Sequence, residues 1–155
     1  LGGLRLWNRR SAADGEEARE GREATARKAL DEGVAVIAEG MLPKMISPKS
    51  ALAHPDLSMF VENMMARQHP EGVAASARGM ALRPDRSAIL SSITVPTLII
   101  TGSDDTLIPP AESEAMAAKI PGAELVVIPD VAHLSNLEDP EAFNGAVRKF
   151  LSRLS

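Results

Sequence analysis

At 155 residues, with a net charge of −4 and a pI near 5.4, the chain is sized for one domain with a modest core. It lacks the clustered, uncompensated Lys and Arg that a phosphate-backbone partner requires. With no cysteine it can hold neither a disulfide framework nor a thiol nucleophile, its apolar runs fall short of the roughly 18 residues of a membrane span, and its start does not read as a signal peptide. A cytoplasmic protein with no nucleic-acid and no membrane partner is expected. The first residue is Leu1, which fits a trimmed N-terminus.

Residues 1–8 alternate weakly, Leu4 and Leu6 against Arg5 and Trp7, and read as a strand that Gly2 and Gly3 weaken. From Asp14 to Glu39 the pattern is helical: Asp14 as cap, charged pairs three and four apart among Glu16, Arg19, Glu20, Glu23 and Arg27, and an apolar stripe of Ala26, Leu30, Val34 and Ile37. Gly33 inside this helix costs about 1 kcal/mol relative to alanine, and Gly40 serves as a stop. Met41 to Met45 then forms a short apolar turn broken by Pro43.

Two more helices are expected, one opened by Pro55-Asp56 with Leu57, Phe60, Val61, Met64 and Met65 on one face, the other from Glu71 to Leu82, closed by Arg83-Pro84. Met41, Met45, Met59, Met64, Met65 and Met80 crowd this stretch. Such thioethers fill irregular core gaps, and they also suit the soft underside of a lid over an apolar substrate.

After Ile93 the texture changes to strand-loop-helix units. Val95 to Thr101 and Leu125 to Ile128 read as strands buried on both faces, Pro109-Pro110 opens a helix to Lys119, and Asp139-Pro140 opens the last, with Phe143, Val147, Phe150 and Leu151 on one face. Consecutive units of this kind need a right-handed crossover and a parallel sheet. The chain divides into an edge strand and loop (1–13), a helical region (14–92) and βα units (93–155).

Asp105 and His133 each follow a strand, and adjacent parallel strands bring such loops together. A carboxylate there can accept the Nδ1 hydrogen of an imidazole and stabilise the imidazolium that forms when the ring takes a proton. The plainer readings are a turn-forming aspartate in Gly-Ser-Asp-Asp and a surface histidine. Asp104, one position earlier, is the second choice for the acid. A third constellation, His54, His69 and His133 with an aspartate, offers ligands for a divalent metal, although the spacing carries no metal signature.

The segments Val-Pro-Thr-Leu-Ile-Ile-Thr-Gly-Ser-Asp-Asp-Thr-Leu-Ile-Pro-Pro, Ile-Pro-Gly-Ala-Glu-Leu-Val-Val-Ile-Pro and Ala-His-Leu-Ser-Asn-Leu-Glu-Asp-Pro-Glu-Ala-Phe-Asn resemble the C-terminal part of the α/β-hydrolase superfamily, in its esterase, lactonase and C–C hydrolase branch. Upstream, Gly40-Met-Leu-Pro-Lys-Met and Arg78-Gly-Met-Ala-Leu-Arg-Pro-Asp are similar to that family's helical cap.

The resemblance implies a partial α/β-hydrolase fold of about three parallel strands with flanking helices and a cap, Asp105 as catalytic acid and His133 as general base. Ala132 stands where the family usually has glycine. It further implies an apolar substrate pocket in which Met41, Met45, Leu107 and Leu134 take part, a small ester-like substrate, and no cofactor. The family's Gly-x-Ser-x-Gly nucleophile turn and oxyanion loop belong to a preceding half, and neither is found in these 155 residues. Ser11, Ser47, Ser50, Ser58, Ser76, Ser103 and Ser135 all lack the flanking glycines.

The expectation is therefore a truncated hydrolase-like protein acting on an activated ester or lactone through a His-Asp dyad. The alternatives are a non-catalytic interaction module and a metal-dependent hydrolase. An open edge near Leu4 to Asn8 also predicts a homodimer joined through that strand or through the caps.

Overall fold

β-Branched and leucine side chains build three strands, β1 (Leu4–Trp7), β2 (Thr97–Gly102) and β3 (Glu124–Ile128), in a computed structural model that describes residues 3–154. They form one parallel sheet in the order β1-β2-β3, with Leu6 opposite Ile99 and Ile99 opposite Leu125. The chain forms two compact units, one made of Leu1–Ser11, Lys44–Pro55 and Ser87–Ser155, the other of Ala12–Pro43 and Asp56–Arg86.

The first unit is the sheet with its covering helices. β2 is central and buried along its whole length. Alternate β2 side chains feed two cores, as the two-residue period of a strand requires. Leu98 and Ile100 join Ile128, Val131 and Phe150, the last from helix α8 (Pro140–Leu151). Ile99 joins Leu90, Met116 and Ile120, from the 3₁₀ turn Ser87–Ser92 and the end of helix α6 (Pro110–Lys119).

β3 is less enclosed than its composition suggests. Leu125 packs into the second core, but Val127, on the same face and nearer the strand's end, is left exposed because a marginal strand is covered only where a helix reaches it. The short helices α3 (Pro48–Ala53) and α7 (Ser135–Glu138) were not foreseen.

The second unit is helical, containing α1 (Glu16–Glu32), most of α2 (Val34–Met45), all but the first residue of α4 (Pro55–Ala66), and α5 (Pro70–Ala81). The single helix expected over residues 14–39 is in fact two. Gly33 adopts φ 87°, a conformation that glycine accepts and other residues resist, and the chain breaks there. Gly40 is no stop, and residues 41–45 are helical rather than a turn, because Pro43 in the closing turn of α2 keeps helical φ and removes only one hydrogen bond. α1 and α5 approach closely through Ala26, Ala74 and Ala77, all buried.

Asp14 does not cap α1, whose N-cap is Gly15. Its carboxylate is fully buried and receives Arg22 Nε and Arg83 Nη2, each at 3.0 Å. Removing the anion strands two guanidinium groups, so Asp14→Ala is expected to destabilise the helical unit by about 3 kcal/mol, as read from the urea midpoint. A change under 1 kcal/mol would mean water replaces the carboxylate at no cost.

Candidate active site

Three successive strand ends converge at the C-terminal edge of the sheet, where ligands of open parallel sheets are bound. Asn8 follows β1, the turn 103–108 follows β2, and the loop 129–134 follows β3. Gly102 closes β2 where a side chain has no room, since a Cβ there would lie 2.3 Å from the carbonyl oxygens of Val131 and Ala132. The two loops are stitched together by Ser103 N–H donating to Ile128 O and Asp104 N–H donating to Val131 O, both at 2.9 Å.

Of the two neighbouring acids, the turn buries Asp105 and exposes Asp104. Asp105 Oδ1 accepts the backbone N–H groups of Leu107 and Ile108, each at 2.9 Å. Its Oδ2 lies 2.9 Å from His133 Nδ1 and 2.7 Å from Asn8 Nδ2. The turn-forming role and the histidine-partner role thus fall on the two oxygens of one carboxylate. Asp104 accepts from Ser103 Oγ at 2.7 Å.

His133 is partly open to solvent while the Asp105 side chain is fully enclosed. A carboxylate bearing no proton can only accept, so His133 Nδ1 carries the hydrogen, and in the neutral ring the outer nitrogen is the one that can accept a proton. Burial pushes the Asp105 carboxyl up, but hydrogen bonds from His133, the Ile108 backbone and Asn8, together with the imidazole charge, more than offset this and hold it below its ordinary value.

A carboxylate lowered in the folded state contributes stability that is complete above the unfolded pKa of about 3.9 and drains away as pH falls through the folded value. The stability gap between the parent and Asp105→Asn is therefore expected to narrow as pH falls below about 5, measured by urea titration across pH. A gap that widens in acid would contradict the lowered carboxyl.

The loop carrying His133 is tied down on its other side by a residue that sequence reasoning missed. Glu138 on α7 accepts Ala132 N–H through one oxygen and Ser47 N–H through the other, both at 2.8 Å. Leu134 N–H donates to Met45 O at 3.0 Å, bringing two expected pocket residues together. Leu107 contributes its backbone N–H to Asp105. Met41 instead lines a cavity of about 450 Å³ in the helical unit, with Ile37, Val73, Met80 and His69.

Four of these serines have other employment. Ser135 is buried and donates to Asn8 Oδ1, Ser103 donates to Asp104 and accepts Asp130 N–H, and Ser47 pairs with Ser50. The metal alternative finds no geometric support: His54 and His69 are exposed, His133 is engaged by Asp105, and no group of three His, Cys, Asp or Glu suited to a metal occurs among the described residues. Nor is any helix among them long and apolar enough to cross a membrane.

Residues 7–140 match the family model described as the alpha/beta hydrolase fold. The chain belongs to the α/β-hydrolase fold family. Among solved α/β-hydrolases, a thermophilic esterase from Thermogutta terrifontis is 40% identical with a TM-score of 0.93, over 97% of this chain and 56% of that one. The enol-lactonase from Burkholderia xenovorans LB400 is 27% identical with a TM-score of 0.88, over 98% and 56%. A curated relative, 3-oxoadipate enol-lactonase 2 of Acinetobacter baylyi, is 26% identical over 86% of this chain and 49% of its own length. The chain thus spans about half the length of these hydrolases.

Proposed function

We propose that this chain carries the acid and base of a hydrolytic site acting on a small activated ester or lactone. The observation that supports this most is the bond between His133 Nδ1 and a buried, fully engaged Asp105 carboxylate, 2.9 Å long. In this reading the outer nitrogen of His133 takes a proton from an oxygen nucleophile, water in the simplest case, as it attacks the acyl carbon. Asp105 holds the ring in the required tautomer and stabilises the imidazolium. The proton is then returned to the departing alkoxide or enolate.

Hydrolysis is also the chemistry named for the esterase and the enol-lactonases to which the chain is similar. Met45, Leu107 and Leu134 are proposed as apolar walls of the substrate pocket. The test is a panel of activated esters and enol-lactones, assayed with the parent and with His133→Ala. Turnover that rises with deprotonation of an imidazole and vanishes in His133→Ala is expected. Equal rates in the two proteins would dispose of the acid-base role and leave the interaction-module reading.

A further inference from the structure

Asn8 is the residue at which β1 turns away from the sheet. Its N–H donates to Ile100 O at 3.1 Å, extending the β1-β2 ladder one step beyond Trp7, and its backbone then adopts φ 48°. Asparagine tolerates that left-handed conformation better than other residues with a Cβ. The side chain is buried with both ends of its amide engaged: Nδ2 donates to Asp105 Oδ2 at 2.7 Å, and Oδ1 accepts from Ser135 Oγ at 3.2 Å. The amide's orientation follows from its partners, since a carboxylate offers no hydrogen and a hydroxyl does.

Asp105 thereby receives four donors, two on each oxygen, which fills the acceptor capacity of a carboxylate. His133 is the one ionisable side chain among the four. Ser135 lies two residues beyond His133, so the contacts close into a ring that runs from the end of β1 to the end of β2, on to the end of β3, and back.

We infer that Asn8, oriented by Ser135, is a positioning residue for the proposed site: it fixes the Asp105 carboxylate as an ionised acceptor facing His133. This rests on the acid-base reading of Asp105 and His133, but it concerns their geometry and protonation, which can be observed with no substrate present. Two facts separate it from plain packing. The Asn8 amide meets the same carboxylate oxygen that meets the imidazole, and its hydrogen bond is addressed to the charged form, which favours ionisation.

The experiment is a pH titration of the ¹³C-labelled Asp105 carboxyl and the ¹⁵N-labelled His133 ring by NMR, in the parent, Asn8→Ala, Asn8→Asp and Ser135→Ala. In Asn8→Ala the Asp105 midpoint is expected to move upward, and in Ser135→Ala to move the same way by less. Asn8→Asp keeps the shape and the turn tolerance but sets a second carboxylate on the same oxygen. One proton is then expected to be shared between the two carboxylates at a pH above the ordinary carboxylate range, and the ¹⁵N shifts of the ring are expected to follow that step. Where turnover is measured, Asn8→Ala should lower kcat about 10- to 100-fold with KM unchanged, the worth of one hydrogen bond to a charged group.

Asp105 and His133 titrations that superpose on the parent in Asn8→Asp and Ser135→Ala would overturn the inference, whether or not Asn8→Ala folds. Shifted titrations in a parent that hydrolyses nothing would instead uphold the positioning role and remove the hydrolytic reading.

Discussion

Asp105→Asn is expected to leave the fold intact and to lower the proposed ester hydrolysis by about 10³- to 10⁴-fold in kcat. The carboxylate now receives donors on both sides, Leu107 and Ile108 N–H on Oδ1, Asn8 and His133 on Oδ2. An amide in its place can accept on one side only. If its oxygen serves the backbone pair, its NH₂ faces the Asn8 amide hydrogens and forces His133 to accept at Nδ1. The ring then carries its proton on the outer nitrogen, the wrong tautomer for a general base, and the loss known for that error is near 10⁴. If the amide turns over, two backbone hydrogens confront NH₂ instead, at about 1–3 kcal/mol for each buried donor left unsatisfied. Steady-state kinetics across pH with ¹⁵N spectra of the ring will measure both, and a kcat within tenfold of the parent would count against the tautomer argument.

The second large effect is expected from a single methyl group. In Gly102→Ala the new carbon would sit 2.3 Å from two carbonyl oxygens and 2.8 Å from the Val131 carbonyl carbon. All three are backbone atoms, so no side chain can swing aside and the His133 loop must move away from β2. That separates the bonds from Ser103 and Asp104 to Ile128 and Val131, which set the spacing of Asp105 and His133. A stability loss of about 1–3 kcal/mol follows from overpacking, and a displacement near 1 Å at the reacting groups costs about 10²-fold in rate. Hydrogen exchange at the Ser103 and Asp104 amides, with the melting temperature, reads the structural half; unaltered protection would show that the loops close over the methyl after all.

β2 and β3 were legible because apolar, β-branched runs leave few alternatives, β1 only through its weak alternation, and the two loops because each run stops at a polar cluster. Choosing between Asp104 and Asp105 needed the resemblance, since composition treats adjacent acids alike and only the turn decides which is buried. Gly33 was misread because periodicity continues across it while its backbone does not. Asn8, Ser135 and Glu138 escaped because each has a partner far away in the chain: Asn8 meets residues 97 and 127 positions away, and Glu138 meets Ser47, 91 positions away. A faint signal did exist at Asn8, an asparagine directly after an alternating run, where a left-handed turn is cheap. Gly102, too, stood beside the acids in Thr-Gly-Ser-Asp-Asp, but close approach between backbones is a property of two loops and leaves no mark on one.

Trp7 is the only tryptophan in the chain, and it meets the Phe143 ring edge-on at 6.0 Å. It is also the residue immediately before Asn8. A single intrinsic fluorophore thus stands next to the corner from which the carboxylate is steadied, about half of it in water and its ring against Phe143 of α8. Its emission colour and anisotropy offer a label-free gauge of that corner's order, readable in dilute samples before any substrate has been identified.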